Sequence, residues 1–262
     1  MDKKIQNNSS KIKHEVKGLP VLVFIVILSI FSVINLKIRP LDFFSGFSNL
    51  VRLFDEATLP DPSLVKTSFV AVFETLQIAF LGTILGTILS LPFSLLSSKN
   101  LFDNKITVPA RMFLALIRTF PSLLWAIFFV IIVGLGPFAG VLATMMYTMG
   151  HLSKLQYEAF ESVNRSPIEA ISVSGATKLQ LIRFVIIPES INTIISQILF
   201  IFEYNVRASS ILGFVGAGGI GFYIAGYLKL LEYNKVITLL IGVFVIVVII
   251  DFISLKIRKK FL

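Results

Sequence analysis

The chain has 262 residues, of which 55% are hydrophobic and 15% charged, against about 25% charged in an ordinary soluble domain. The formal net charge is +9, but no basic stripe is interleaved with aromatics. Nucleic-acid binding is therefore set aside, and the excess is read as Lys and Arg gathered in loops on one side of a membrane. There is no cysteine and there are only two histidines, His14 and His151, far apart in sequence. That removes disulfides, thiol nucleophiles, thiolate metal sites and a His-rich metal site.

Residues 1–18 are polar and carry Lys3, Lys4, Lys11, Lys13 and Lys17. The apolar run Leu19–Leu36 follows, close to the roughly 20 residues that cross a bilayer core as helix. It has no small-x-small cleavage pattern at its end and more apolar runs follow, so it reads as an uncleaved anchor with its N-terminus inside. Residues 37–67 mix both charges, with Pro60 and Pro62 as breakers. They read as an outer loop with a short interfacial helix around Phe43–Phe54. Residues 19–67 are thus a first span plus its loop, and 68–257 the main membrane domain.

A second span is expected over Ser68–Leu91. Its Gly82-x-x-x-Gly86 spacing, continued by Ser90, makes a flat ridge for close helix approach. Glu74, near its outer end, reads as interfacial. Residues 97–111 carry Lys99, Lys105 and Arg111 against Asp103 and read as an inner loop. A third span is expected over Met112–Val133, containing Arg118 and Pro121. The uncharged Gly134-Leu-Gly-Pro137 predicts a tight outer turn, and a short fourth span runs from Phe138 to about Gly150.

The long polar segment 151–183 is the feature that stands out from its apolar flanks. Three start signals lie in it. Ser153-x-x-Gln156, Ser166-x-x-Glu169 with Pro167 behind the Ser, and Thr177-x-x-Gln180 each fit a capping box. They predict helices over Lys154–Val163, over Pro167–Ser174 with Gly175 as its left-handed stop, and from Lys178 back into the membrane with a kink at Pro188. A fifth span is expected over Ile186–Phe202 and a last one over Val236–Ile253. The tail 258–262 lies beyond, and Lys256, Arg258, Lys259 and Lys260 make the C-terminal end basic. Six spans put both termini inside, on the same side as the 97–111 loop, which agrees with the positive-inside bias.

Three groups of residues carry chemistry. The glycines of Gly213-Phe-Val-Gly-Ala-Gly-Gly-Ile-Gly221 are not a P-loop, because no Lys-Ser or Lys-Thr follows them. Gly216-x-Gly218-x-x-Gly221 matches a dinucleotide fingerprint only as letters, without the strand–helix unit it needs. A turn, or a re-entrant segment serving as a pathway or gate through Gly216, Gly218 and Gly219, fits better. Glu203 and Arg207 are at i, i+4 in the favourable order for a mutual ion pair. Charge at membrane depth also tends to face a cavity, and a guanidinium there matches an oxyanion. Arg118 has the same two readings, as an anchor at the headgroups or as a cation on a path. Asp251 is expected to pair with a nearby Lys or Arg. Neither HExxH nor GxSxG occurs, and no membrane carboxylate pair stands beside a His, so the chain is not read as an enzyme.

The spacing Glu169-Ala170, Gly175, Val185-x-Ile187-Pro188 resembles the EAA loop of bacterial ABC importer permeases, with Ile171, Val185 and Ile187 as apolar replacements. Arg118-Thr-Phe-Pro121, Trp125-Ala126, Gly134–Gly140, Glu203–Ala208 and Gly213–Gly221 look like the phosphonate-type branch of that family, from about Ser68 to the C-terminus. Ser122 departs from relatives that place a carboxylate there, which weakens any substrate assignment on that helix. The resemblance implies an all-α integral membrane fold of the type I importer class, with about six transmembrane helices and a cytoplasmic coupling loop over 154–188. It implies coupling to a cytosolic ATPase through Ser166, Pro167, Glu169, Ala170, Gly175 and Pro188, with Arg118, Glu203, Arg207 and the three glycines near the substrate path. ATP and Mg would sit on the ATPase, with no cofactor or metal on this chain. The implied partners are ATPase subunits, a periplasmic or lipid-anchored binding protein, a second permease copy and the bilayer of a bacterial inner membrane. The implied cargo is phosphonate, with phosphite or phosphate as near alternatives. A permease for another small solute, an ion-gradient-driven secondary transporter and a membrane scaffold remain as other readings.

Overall fold

A computed structural model describes residues 20–39, 44–47 and 59–260. The chain divides into two compact units, 1–56 and 57–262. In the first, helix α1 (Pro20–Asn35) is apolar on every side and its side chains are exposed. A helix of that kind is at rest in lipid, not water. Its hydroxyls are satisfied internally, Ser29 Oγ donating to Ile25 O at 2.8 Å and Ser32 Oγ to Leu28 O at 2.7 Å, as hydrocarbon surroundings require. Of the interfacial helix expected at Phe43–Phe54, residues 44–47 are helical and the rest lies outside the described residues, as does the basic segment 1–18.

The second unit is helical throughout its regular structure, with no strand among the described residues. Asp61 caps a short 3₁₀ turn, Pro62–Leu64, accepting from Ser63 N at 2.9 Å. Helix α2 (Val65–Leu96) then runs inside out relative to a soluble helix. Its buried face is mostly small, with Ala71, Thr75, Ala79, Gly82, Thr83, Gly86 and Ser90 around one large residue, Ile78. Its large residues, among them Phe69, Phe80 and Ile88, are exposed. Lipid tails are as apolar as Leu, so helices in a membrane associate through close contact and hydrogen bonds, which small residues permit.

The chain departs from the expected spans at several points. The loop expected over 97–111 is only seven residues long, because α3 begins at Asn104 and runs to Thr119. Pro121 has no N–H and forces Phe120 into extended backbone, φ −93° and ψ 120°. The predicted third span is therefore two helices, α3 and α4 (Ser122–Val133), bent by 83°. The turn that follows is as expected, with φ +90° at Gly134 and +132° at Gly136.

Helix α5 (Pro137–Glu161) does not end at Gly150. Ser153 is buried inside it and donates to Met149 O at 2.6 Å, so its hydroxyl back-bonds the helix and starts nothing. The separate helix expected at Lys154–Val163 is the last part of α5. Helix α6 (Arg165–Val173) follows, then α7 (Lys178–Leu181), a π-helical turn (Ile182–Ile186) and α8 (Ile187–Leu212). The glycine segment holds a 3₁₀ turn, Gly213–Val215, and then come α9 (Ile220–Lys229) and α10 (Tyr233–Arg258).

Three described helical runs are long and apolar enough to cross a membrane, Pro62–Leu96, Lys178–Val215 and Tyr233–Arg258, with the bent α3–α4 pair as a fourth. The tightest packing is α2 on α5. A Cβ at Gly82 would stand 1.7 Å from Thr144 Oγ1, and one at Gly86 would stand 2.4 Å from Thr148 Cβ. Further along the same ridge, Ser90 Oγ meets Gln156 Oε1 at 3.0 Å. Asn205 of α8 closes the bundle, its Nδ2 donating to Thr83 Oγ1 at 2.8 Å and to Thr148 Oγ1 at 2.7 Å.

Candidate functional site

The polar segment between α5 and α8 is built on an apolar seat. Leu101, Phe160, Leu181, Val185, Ile186 and Ile194 are buried together, and Ile168 and Ile171 of α6 pack against them. The opposite face of α6 carries Glu169, Ala170 and Val173 into the open, Val173 being 89% exposed. Spacings of three and four residues put 169, 170 and 173 on one side of a helix. Nearby Leu179 is 75% exposed as well. Val173 of α6 and Leu179 of α7 are thus apolar side chains left in the open, on a segment whose α6 is anchored from behind.

The start of α6 differs from the expectation. Asn164 is its cap, the side-chain Oδ1 accepting from Ser166 N at 3.1 Å. Ser166 and Pro167 therefore lie inside the first turn, where Pro167 has no N–H to leave unpaired. Gly175 ends the segment at φ +78° with open space where a Cβ would stand, so backbone conformation alone requires the glycine. Thr177 and Gln180 form the expected capping box, Thr177 N donating to Gln180 Oε1 at 2.7 Å. Pro188 is preceded by the π turn, in which Ile187 N donates five residues back to Ile182 O.

A clamp not foreseen in the sequence holds the seat. Arg111 donates through Nε and Nη2 to Ser97 O at 2.9 and 2.8 Å, pairs with Glu161 at 2.5 Å, and lies 4.3 Å above the Tyr157 ring. Glu161 also accepts from Lys99 N at 2.7 Å. Lys178 stands 4.6 Å over the Phe102 ring. The residues between α2 and α3, the end of α5 and the start of α7 are thereby tied into one platform.

The membrane charges form a chain. Glu203 pairs with Arg258 of α10 and stands 3.9 Å from Arg207, which reaches Asp251 of α10 at 3.2 Å. The i, i+4 pair is present, but each member has a second partner on α10. Arg118 stands apart from it, its Cγ lying against Gly150 of α5.

The glycine turn is held by α2. Glu74 Oε1 accepts from Gly219 N at 3.0 Å and Thr75 Oγ1 from Ile220 N at 2.8 Å, so the two residues satisfy the start of α9. Glu74 is thus a structural partner of the turn, and 145 residues separate it from Gly219. Gly216, Gly218 and Gly219 have φ of +86°, +79° and +74°, and Gly216 O accepts from Gly136 N at 2.9 Å. A cleft of about 530 Å³ opens beside the turn, lined by residues including Leu135, Phe214, Gly216, Phe222 and Tyr227.

Residues 82–261 match the family described as binding-protein-dependent transport system inner membrane component. The chain belongs to that family. It is an ABC importer permease, a transport subunit with no catalytic role, and its ATPase is a separate subunit. The ion-gradient reading is set aside with that assignment.

Among similar proteins is the putative phosphite transport system permease HtxC of Stutzerimonas stutzeri, 40% identical over 200 residues, covering 76% of this permease and 71% of that protein. The phosphite permease PtxC of the same organism is 32% identical over 218 residues, covering 83% and 79%. The phosphate-import permease PhnE of Mycolicibacterium smegmatis is 33% identical over 227 residues, 86% of this permease and 43% of that longer protein. Among solved structures, the inward-facing MetNI methionine ABC transporter superposes with a TM-score of 0.69 at 22% identity, covering 77% of this permease and 99% of that chain. At that identity the likeness speaks for the fold alone.

Proposed function

We propose that this permease imports a phosphorus oxyanion, with phosphite, phosphonate and phosphate as the candidate cargo, and that α6 is the lever through which a cytosolic ATPase drives it. The observation that carries the cargo is the 40% identity to a putative phosphite permease over three quarters of the chain. The lever reading is supported by the anchored helix that turns Glu169, Ala170 and Val173 outward.

In this mechanism ATP and Mg are held by the ATPase subunits, and their closure moves α6. Asn164 keeps the first turn of α6 formed, with Ser166 and Pro167 inside it. Gly175 lets the chain double back into α7, and the π turn before Pro188 carries the motion into α8. The Arg111–Glu161 clamp makes the platform move as one body. The working unit contains two permease copies and receives cargo from a periplasmic or lipid-anchored binding protein. In this reading the chain crosses the membrane at α1, α2, α3–α4, α5, α7–α8 and α10, with both termini and α6 in the cytoplasm. The turn at Gly216, Gly218 and Gly219 is read as a gate on the outer side, supported by its cleft and by its tether to Glu74. Glu203 and Arg207, bound into the charge chain, hold α8 to α10 beside the path.

The test is growth of a deletion strain on phosphite, methylphosphonate or phosphate as sole phosphorus source, complemented by the wild-type gene or by Glu169→Lys. The wild type restores growth on at least one of them and Glu169→Lys does not. Growth of the deletion strain on all three at the wild-type rate defeats the cargo reading, and full rescue by Glu169→Lys defeats the lever.

A further inference from the structure

We propose that Arg118, Tyr147, His151 and Tyr204 form a subsite between helices for a tetrahedral phosphorus oxyanion. This rests on the transport reading above and assigns the cargo to specific side chains. Tyr147 and His151 lie on α5 ten residues from its two ends, so each is about 15 Å from the nearer end at 1.5 Å per residue. The Tyr147 ring is sandwiched, 4.0 Å from the His151 ring and 4.6 Å from the Tyr204 ring, the two phenols tilted by only 11°. A stack across α5 and α8 fixes where the polar ends of these rings stand. Tyr204 is 37% exposed, so the stack opens out of the bundle rather than closing into its core.

Arg118 comes to the same level from α3. Its stem lies against Gly150, the residue before His151, with Cγ 3.0 Å from where a Cβ would be. Its Nη1 is buried and has no hydrogen-bond partner among the described residues. Arg111, Arg207 and Arg258 each reach a carboxylate, and Arg118 does not. A buried guanidinium nitrogen with no acceptor is costly unless something that accepts, an anion above all, visits it. His151 Nδ1 is 3.1 Å from Tyr147 O. A carbonyl only accepts, so Nδ1 carries the hydrogen and Nε2 remains for a ligand.

Together the four offer a forked cation, a pair of phenols that hydrogen bond to each other and leave one O–H to donate, and a ring nitrogen able to accept from a P–OH group. A guanidinium matches two phosphorus oxygens at once. The same cation argues against a quaternary ammonium cargo, which an aromatic stack alone would favour.

The test uses the whole transporter, this chain with its ATPase and binding protein, in liposomes supplied with labelled phosphite, phosphate or methylphosphonate. Arg118→Gln is expected to lower uptake of whichever anion the wild type moves by about tenfold to a hundredfold, as loss of a charged hydrogen bond implies. The complex still assembles and hydrolyses ATP, and Arg118→Lys recovers part of the uptake. Tyr204→Phe, which removes one oxygen, raises KM with little change in assembly. Unchanged uptake in Arg118→Gln overturns the subsite. If Arg118→Gln does not assemble, Tyr204→Phe and His151→Gln decide, and wild-type uptake in both overturns it. A wild-type transporter that moves none of the three anions overturns the cargo reading itself, a result distinct from failure of the variants.

Discussion

Glu203 and Arg258 sit on different helices, α8 and α10, yet they form an ion pair in which the Glu203 side chain is only 9% exposed and Arg258 21%. Breaking a pair of this kind from one side leaves a charge in a poor medium without its partner, at a cost of about 3–5 kcal/mol when fully buried. Arg258→Gln and Glu203→Gln are each expected to lower the thermal aggregation midpoint in detergent. The double variant should be more stable than the sum of the two losses, because neither charge is then stranded. Strict additivity would show that the pair does not couple the helices.

Close packing of α2 on α5 makes Gly82 intolerant of even one carbon. Gly82→Ala places a methyl group 1.7 Å from Thr144 Oγ1 and 2.6 Å from its Cβ, and is expected to cut the yield of folded protein sharply. Thr144→Gly in the same chain should restore part of it. Gly226→Ala, with nothing within 4 Å, serves as the tolerant control. Equal yields for the two alanine variants would dismiss the ridge.

Val173 is exposed on a helix whose other face is anchored, so changing it should not disturb the fold. Val173→Asp is expected to shift the melting midpoint by no more than a surface change does, about 0.5 kcal/mol. It should weaken co-purification of the ATPase by about tenfold or more, since a charge then replaces an apolar contact at the proposed grip. Undiminished co-purification would place the grip elsewhere.

Glu74 separates two ways of losing the same hydrogen bond. Glu74→Gln keeps an oxygen for Gly219 N, whereas Glu74→Ala leaves a backbone donor unmet at about 1–3 kcal/mol. Hydrogen exchange at residues 216–220 should rise several-fold in the alanine variant and little in the glutamine variant. Equal rates in both would mean that charge, not the hydrogen bond, holds the turn.

What could be read in advance was local or compositional. Thr177 and Gln180 announce their box because both partners lie within one turn. Gly175 announces its φ because few other residues adopt it. The Gly82–Gly86 ridge follows from spacing alone. Other features were hidden for equally physical reasons. Ser153 has the residue type of a cap, but a serine hydroxyl can also bond back to its own helix, and only burial decides. Ser166 followed by Pro167 outshone Asn164, two residues earlier, which holds the position. The Phe120–Pro121 break fell inside an apolar run whose hydropathy gives no hint of direction. The partners of Glu74, Arg111 and Asp251 come from distant parts of the chain, and no window along the sequence contains both members.

The π turn before Pro188 bears on how motion passes from α6 to α8. An ordinary α turn here would set the Pro188 ring against Phe184 O, and Pro has no N–H with which to bond it. The wider π turn avoids that clash and leaves a one-residue offset in register between α7 and α8. On the lever reading proposed above, a joint offset in this way is a keyed coupling: it passes torque from the loop to the membrane helix rather than absorbing it as slip.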